Sequence, residues 1–408
     1  MIAAERPIQR PPAAKLLVID ESGCITHEPR VRFVDHFRAG DFVIANDAAT
    51  LPASLQGIHE PTGRPIEIRL AGRRSLAADD VHVFAAVVFG AGDYHIRTEH
   101  RPPPPALSAG DKLTFGTAPS RVEGPAPSKV EGPAPRGVEV PLDAVILSVG
   151  QHERLVTIGF SGSTDAVWAG LARHGRPIQY AHVDAPLALW DVWTPVAGLP
   201  VAFEPPSAGF TLDWRSLATL QRHGVRFATI THAAGISSTG DTGLDALLPF
   251  DEPYDIPVAT ARAIAEARDN GRRVIAIGTT VVRALEHASD EDGRIRPGFG
   301  IATQKVTAAT RLKVVDVLLT GVHEPGTSHY ELMRAFVDDE TLQRASAEMT
   351  VSGFHTHEFG DSVLVSAAAR ASLRRATLPG SPGVWTAPTR QGSAYRQVCA
   401  SSGVSLSI

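Results

Sequence analysis

The clearest hydrophobic pattern in the chain is an uninterrupted apolar run, 274–277, that leads into Gly278-Thr279-Thr280 and then into a helical pattern. A short run without alternation predicts a strand buried on both faces of a sheet. Gly278 permits a sharp turn, and Thr279 or Thr280 can cap the following helix. The free N–H groups of that helix would face the carboxyl end of the strand, where ligands bind in open α/β sheets. The alternative is a plain strand-turn-helix unit without a ligand.

Comparable strand and helix patterns occur on both sides of this unit. Alternation and turn residues predict strands at 15–20, 41–47 and 225–232. Helical periodicity, with Thr211 near one start and Pro257 at another, predicts helices at 211–223 and 257–270. Later runs predict a strand within 312–319 and helices at 330–336 and 340–349.

The middle of the chain has a different character. From about Ser54 to Gly175, short apolar or alternating runs are separated by Gly and Pro, and no long helical period occurs. This pattern is typical of a small all-β barrel or sandwich. We therefore predict an α/β fold: a mixed α/β catalytic domain, formed by residues 1–53 and 176–408, is interrupted by an inserted small β-barrel domain at 54–175.

A repeat of eight residues, rich in Pro and Gly, occupies residues 118–139 of this insert. Its period is far too short for a solenoid unit, and its composition does not favour packing. We interpret it as an expanded, mobile loop between two strands, without a functional role.

Composition places the chain among ordinary globular proteins, with 43% apolar and 20% charged residues. No apolar run approaches the roughly 20 residues needed to span a bilayer, and residues 1–10 lack the pattern of a secretion signal. We expect a cytoplasmic, non-membrane protein, with a monomer favoured. Cys24 and Cys399 are the only cysteines, which excludes a disulfide framework and a cysteine-based zinc site. His355 and His357 alternate and would share one strand face, but they are too few to predict a metal site.

The net charge of −5 does not favour binding of nucleic acid through overall charge. A local basic face is still possible, because arginines cluster in two places. These clusters are Arg262, Arg268, Arg272 and Arg273, and Arg370, Arg374 and Arg375. Solvated helix surfaces are the commoner explanation for such clusters.

Several blocks, in the same order along most of the chain, resemble the S-adenosylmethionine:tRNA ribosyltransferase-isomerases of queuosine biosynthesis. Residues 278–286 are close to the family's "GTTsvRtLE", and 206–211 are similar to its "PTAGLHFT". Residues 40–55, 254–257, 313–316 and 359–364 resemble further family blocks. The resemblance also implies a β-barrel inserted into an α/β domain.

The departures from the family pattern fall mainly in loops. The family's "PLPPYI" is absent, and the region holds residues 176–182 instead. The histidine of "GLHFT" is lost, and "LHVGLGTF" is replaced by residues 231–241. The block "TnFHlP" becomes 320–325 and keeps its histidine as His323. Scaffold motifs are therefore better preserved than the loops expected to hold the modified base.

The resemblance implies transfer and isomerisation of the ribosyl moiety of S-adenosylmethionine onto the aminomethyl group of 7-aminomethyl-7-deazaguanine in tRNA. The products would be epoxyqueuosine-tRNA, adenine and methionine. S-adenosylmethionine would be the ribosyl-donor substrate, tRNA the partner, and no metal is implied. Such chemistry needs a base for a C5′ proton beside the sulfonium, a group to assist the departing adenine, and partners for the sugar hydroxyls.

We expect the catalytic groups to include His232 and His323, since histidine titrates near neutrality, although either can be structural. Asp361 is a further candidate that either binds ribose hydroxyls or caps a turn. Arg283 lies in the first turn of a helix, where a cation opposes the helix dipole, so it needs either a ligand carboxylate or Glu286 as partner. The residues expected to bind the donor are Gly278, Thr279, Thr280, Arg283, Ser207, Gly209 and Thr211.

Two other functions fit the same residues. The changed loops and the net negative charge also fit a related S-adenosylmethionine-dependent transferase that acts on a free base or another small acceptor. A non-catalytic RNA-binding paralogue that kept the fold is the third possibility.

Overall fold

The structure is a computed structural model, and it describes residues 1–116 and 141–367. The predicted repeat loop at 118–139 and the tail beyond residue 367 lie outside the described residues. Within the part of the chain that is described, the strands in chain order are β1 (Ile2–Ala3), β2 (Lys15–Ile19), β3 (Ile25–Pro29), β4 (Phe42–Asn46), β5 (Ala49–Thr50), β6 (Ser54–His59), β7 (Arg64–Gly72), β8 (Val83–Phe89), β9 (Lys112–Phe115), β10 (Leu142–Val149), β11 (Leu155–Phe160), β12 (Gly175–Arg176), β13 (Pro200–Ala202), β14 (Arg226–His232), β15 (Glu252–Ile256), β16 (Val274–Ile277), β17 (Gly298–Ala302), β18 (Val317–Gly321), β19 (His355–Thr356) and β20 (Ser362–Ser366).

The α-helices are α1 (Thr164–His174), α2 (Leu189–Val192), α3 (Trp214–Arg222), α4 (Thr242–Asp245), α5 (Val258–Asp269), α6 (Thr279–Ala288), α7 (Ser328–Met333) and α8 (Asp339–Val351). Short 3₁₀ helices cover Arg30–His36, Thr98–His100 and Ser207–Thr211. Among the described residues, no helix combines the length and the apolar character needed to cross a membrane.

A nine-stranded mixed sheet forms the centre of the α/β part, in the order β17-β15-β14-β4-β16-β18-β20-β2-β3. Strands β14, β4, β16 and β18 run parallel to one another. Strand β20 is antiparallel to β18, and β15 is antiparallel to β14. The four parallel strands therefore place their carboxyl ends along one edge of the sheet.

Alternating side chains of β4 and β16 enter two different cores. Phe42, Ile44, Val274 and Ala276 pack in the core that also contains residues of α5, α6, α7 and α8. Val43, Ala45, Ile275 and Ile277 pack on the opposite face, with Phe33, Ala208 and Leu220. The predicted strand buried on both faces is thus confirmed for β16, because helical segments cover both sides of the sheet.

Six antiparallel strands between β6 and β11 close into a barrel, since β6 pairs with both β7 and β9. Buried aliphatic and aromatic side chains, including Leu55, Ile68, Phe84, Phe115 and Ile158, fill its interior. The predicted fold class, a mixed α/β domain with a small inserted barrel, is confirmed. The limits predicted for the two domains, 1–53 with 176–408 and 54–175, stay a prediction.

Two local predictions are wrong. Helix α3 begins at Trp214 rather than at Thr211, because the side chain of Asp213 accepts the N–H of Ser216 and caps the helix. Helix α6 has Gly278 as its N-cap residue, without a side-chain cap from Thr279 or Thr280. Gly278 has φ +99°, which turns the chain sharply enough that Thr279 is already helical.

Candidate active site

The ends of three elements are joined by Asn46, the last residue of β4. Its side-chain amide donates hydrogen bonds to the carbonyl of His232 at 2.9 Å and to Thr280 Oγ1 at 3.3 Å. Its Oδ1 accepts the N–H of His232 at 3.0 Å and that of Ala48 at 3.0 Å. The carboxyl ends of β4 and β14 and the start of α6 are therefore held at fixed positions beside one another.

The Gly278 turn lies at the centre of this edge. The N–H of Gly278 donates to the carbonyl of Leu319 in β18 at 2.8 Å, which fixes the turn against the neighbouring strand. A side chain at Gly278 would contact Ala208, whose Cβ lies 3.5 Å from the place that a Cβ would take. The two segments that most resemble the family, 206–211 and 278–286, are thereby brought together.

The residues predicted to bind the donor differ in their surroundings. Thr279 is buried, whereas Thr280 and Ser207 are partly exposed near the turn. Thr211 is buried and its hydroxyl donates to the carbonyl of Ala208 at 2.7 Å. Gly209 is packed against Thr194, whose Cγ2 would lie 2.9 Å from an added Cβ. Gly209 and Thr211 thus shape the Ser207–Thr211 turn from within.

A buried ionic group supports the start of α6. Glu252 forms an ion pair with Arg283 and accepts the N–H of Gly235 at 2.6 Å. Burial raises the pKa of Glu252, but His232, Arg283 and the Gly235 N–H outweigh burial and lower it to about 2. Glu252 is therefore a carboxylate at neutral pH.

Arg283 is only 4% exposed, and its guanidinium is occupied by protein groups. Besides Glu252, it donates to the carbonyls of Phe250 at 2.8 Å, Ala302 at 2.9 Å and Gln304 at 3.0 Å. The expectation that its charge needs a ligand carboxylate or Glu286 is wrong, because Glu252 supplies the opposite charge. Glu286 instead accepts backbone N–H groups of residues 313–315 at 2.6 to 2.9 Å.

His232 is fully buried, and both of its ring nitrogens face protein groups. Its Nδ1 lies 2.8 Å from the carbonyl of Thr280, so Nδ1 carries a proton and donates it. Its Nε2 lies 3.1 Å from Glu252 Oε2, although the alignment is not that of a hydrogen bond. This arrangement suits a residue that positions its neighbours.

His323 follows the end of β18. Its Nε2 lies 2.8 Å from the hydroxyl of Thr320, and its ring stacks on that of His329 with centroids 4.7 Å apart. Burial lowers the pKa of His323 well below the usual value, and the neighbouring His329 and His357 act in the same direction. His323 is therefore a neutral imidazole at pH 7, able to donate from one nitrogen and accept at the other.

Asp361, just before β20, is used by the backbone. Its Oδ1 accepts the N–H of Lys15 at 2.7 Å, and its Oδ2 accepts the N–H of His355 at 2.8 Å. Both carboxylate oxygens thus hold chain segments together. The catalytic role predicted for Asp361 stays a prediction.

A second polar group borders a small cavity near the same edge. The residues that line it are Ile178, Gln179, Tyr180, His182, Val183, Leu187, Val192, Glu204, Pro205, Glu358 and Phe359. The hydroxyl of Tyr180 contacts Glu204, whose other oxygen accepts the N–H of Ser237 at 3.1 Å. Burial raises the pKa of Glu204 to about 7, and the bonds from Ser237 and Tyr180 offset only part of that rise. A buried carboxyl group that titrates near neutrality is a candidate general acid or base.

The two groups lie within electrostatic range of each other. Burial lowers the pKa of His329, and the charges of Glu252 and Glu358 both oppose that effect. His329 also stacks on His323, so the histidines lie between the ionic group at α6 and the cavity. Sequence reasoning missed Glu204; the one available signal was an acidic residue between the apolar 201–203 and the block 206–211.

The first arginine cluster lies away from this edge. Arg272 and Arg273 precede β16, at the amino end of the strand whose carboxyl end leads to Gly278. Arg273 forms an ion pair with Asp41 and donates to the carbonyl of His36 at 2.8 Å. These arginines thus do not border the candidate site. The second cluster lies outside the described residues.

His355 and His357 do not share a strand face as predicted. His355 lies in β19, whereas His357 follows that strand with φ +70° and stacks on His182, the ring centroids being 4.2 Å apart.

Comparison with known proteins is consistent with the motifs. The S-adenosylmethionine:tRNA ribosyltransferase-isomerase of Geobacter sulfurreducens is 30% identical over 371 residues, which cover 89% of this chain and 96% of that protein. The protein of the same name from Methylobacterium sp. (strain 4-46) is 29% identical over 377 residues, with 89% and 95% covered. The crystal structure of an S-adenosylmethionine tRNA ribosyltransferase from Thermotoga maritima matches with a TM-score of 0.43 at 20% identity, covering 89% of this chain and 96% of that one.

A family profile described as "Queuosine biosynthesis protein" matches residues 1–365. That range contains the barrel, all but the last residue of the nine-stranded sheet, and every residue of the candidate site. The chain therefore belongs to the queuosine biosynthesis family of S-adenosylmethionine:tRNA ribosyltransferase-isomerases.

Proposed function

We propose that this protein transfers and isomerises the ribosyl moiety of S-adenosylmethionine onto the aminomethyl group of 7-aminomethyl-7-deazaguanine in tRNA. Epoxyqueuosine-tRNA, adenine and methionine are the products. The observation that carries the proposal is the proximity of the two best-preserved blocks at the carboxyl edge of the sheet, where the Cβ of Ala208 lies 3.5 Å from the place that a Cβ on Gly278 would take. Ligands of open α/β sheets bind at such an edge.

S-adenosylmethionine binds at the start of α6 in this proposal. The positive end of the helix and its first N–H groups attract the methionine carboxylate, with Thr280 and Ser207 as hydroxyl partners. Gly278 lets the donor approach the backbone. His232 and Arg283 act indirectly, because each holds the turn through Glu252 or the carbonyl of Thr280.

Glu204 is the proposed base, and His323 the group that assists the leaving adenine. The sulfonium acidifies the C5′ hydrogens of the donor, and the carboxylate of Glu204 takes one of these protons. Its pKa of about 7 suits a base that is about half ionised at neutral pH and can both take and return the proton. His323 is neutral and can donate a hydrogen bond to an adenine nitrogen. Asp361 supports the scaffold through Lys15 and His355.

A second candidate function keeps the donor chemistry and changes the acceptor. The cavity includes His182, and this residue lies in a segment that departs from the family pattern. The described arginine cluster lies at the opposite edge of the sheet, so it offers no basic face for tRNA beside the site. A free deazaguanine base or another small acceptor fits these two observations.

One experiment separates the two functions. The protein is incubated with S-adenosylmethionine and either tRNA bearing 7-aminomethyl-7-deazaguanine or the free base, and the masses of the modified nucleoside and base are determined. The tRNA function predicts the epoxycyclopentanediol mass on the tRNA nucleoside alone. A product on the free base alone supports the second function, and no product from either acceptor contradicts both.

A further inference from the structure

Three side chains with metal-ligating atoms meet beside the cavity. His182, His357 and Glu358 each present a ligand atom, and these atoms all lie within 4.8 Å of one another. His182 Nε2 is 3.3 Å from Glu358 Oε2, and the rings of His182 and His357 stack with centroids 4.2 Å apart at 17°. His182 lies between β12 and α2, whereas the other two lie between β19 and β20. The fold thus brings together groups that are far apart in sequence.

We propose that His182, His357 and Glu358 bind a divalent transition metal of the zinc class. Two imidazoles and one carboxylate form a common ligand set for Zn²⁺, and such a set leaves one position open for water or a substrate atom. With metal–ligand bonds of about 2.0–2.2 Å, neighbouring ligands of a tetrahedral ion lie roughly 3.3–3.6 Å apart. The His182–Glu358 separation matches this spacing.

The backbone of His357 supports the proposal independently. Among the described residues it is the one non-glycine residue with a positive φ, +70°. Non-glycine residues in this region are strained and cluster at ligand-binding positions. An ion pair between His182 and Glu358 alone would not require this conformation. The conformation places the His357 ring against His182, and a shared ion would be bound after the two rings turn out of their parallel stack so that one nitrogen of each points at it.

The site is accessible and lies next to the proposed chemistry. His357 is exposed, while His182 and Glu358 line the cavity that also contains Glu204. An ion there can exchange with solvent and present its open position toward the cavity. Sequence patterns could not reveal the site, because His182 is 176 residues away from Glu358 in the chain.

The test is a binding measurement on the full-length, tag-free protein after treatment with a chelator. Isothermal titration with Zn²⁺ is expected to give one bound equivalent, and Co²⁺ is expected to give the visible absorption of a four-coordinate site. His357→Asn removes the imidazole but tolerates the positive φ, and Glu358→Gln removes the charge. Each change is expected to weaken Zn²⁺ binding more than about tenfold, while thermal unfolding shows that the fold is kept.

His355→Ala is the matched control, because His355 is an exposed histidine two residues from His357 and lies 3.5 Å from a carboxylate, that of Asp361. Its affinity for Zn²⁺ is expected to equal that of the unaltered protein. Absence of a stoichiometric site, or equal weakening in His355→Ala, would overturn the proposal. Because binding is measured directly, this outcome is independent of whether ribosyl transfer takes place.

Discussion

At the scale of single residues, Glu252 stabilises the fold beside the candidate site. Its pKa of about 2 lies below the ordinary value of 4.5, so its ionised form stabilises the fold. That contribution is complete above about pH 4.5 and is lost as the pH falls toward 2. A depression of this size corresponds to about 3 kcal/mol at neutral pH.

We expect Glu252→Gln to reduce the free energy of unfolding by about 3–5 kcal/mol at pH 7, because it leaves the guanidinium of Arg283 buried without a carboxylate. The difference in the free energy of unfolding between Glu252→Gln and the unaltered protein should become smaller as the pH falls from 4.5 to 2, because Glu252 itself becomes protonated there. Urea unfolding at a series of pH values measures this. If the two proteins differ in the free energy of unfolding by the same amount at every pH, the low pKa of Glu252 is contradicted. For the same reason we expect Arg283→Ala to destabilise the fold, not only to weaken donor binding.

The proposed role of Glu204 as the base predicts how kcat/KM depends on pH. If its carboxylate is the base, kcat/KM should rise with pH and level off above about 7, the pKa of this group. Glu204→Gln should lower the rate by about 10²–10⁴-fold. Tyr180→Phe removes a contact that stabilises the carboxylate, so it should shift the midpoint to higher pH. If the pH midpoint of kcat/KM is the same in Tyr180→Phe as in the unaltered protein, a group other than Glu204 controls the rate.

Sequence patterns identified the neighbourhood of the site better than the roles within it. His232, Thr280 and Gly278 do come together, because His232 ends β14 and the other two follow β16, and both strands run parallel to β4. The partner of Arg283 was not predictable, since Glu252 is 31 residues away and reaches it only through the pairing of β14 with β15. The pKa of Glu204 depends on burial, which no local pattern encodes.

At the scale of elements, the Gly278 turn can be tested most directly by substitution. Both Gly278 (φ +99°) and Gly271 at the end of α5 (φ +64°) lie in a region that L side chains rarely adopt, but only the φ of Gly271 falls in the left-handed helical well that they can enter. We expect Gly278→Ala to cost about 1–3 kcal/mol of stability and Gly271→Ala about 1 kcal/mol. Thermal unfolding of the two variants measures the difference. Equal costs would mean that the turn is not strained by a side chain.

Element types were predictable where the hydrophobic period was strong. Strands β4, β14 and β16 and helix α5 lie where the pattern placed them, because each buries a regular apolar face. The boundaries of α3 and α6 were wrong, since they depend on the cap formed by Asp213 and on the backbone of Gly278. Capping geometry is decided by a few residues that apolar periodicity does not report.

At the scale of the whole molecule, the pairing of strands in the barrel predicts the effect of deleting the repeat. Phe115 pairs with Leu142, so the segments that precede and follow the repeat lie on the neighbouring strands β9 and β10. We expect deletion of residues 119–135 to leave folding and activity nearly unchanged, because shortening a loop changes stability only weakly. The thermal midpoint of the deletion variant checks this. A large decrease would show that the repeat packs against the barrel.

The most direct test of the account is the release of adenine from S-adenosylmethionine in the presence of the modified tRNA. We expect adenine release by the unaltered protein and by Gly271→Ala, and loss of that release in folded Gly278→Ala, because the added Cβ changes the backbone at the proposed donor site. Release by Gly278→Ala at the rate of the unaltered protein, or none from the folded unaltered protein, would contradict it.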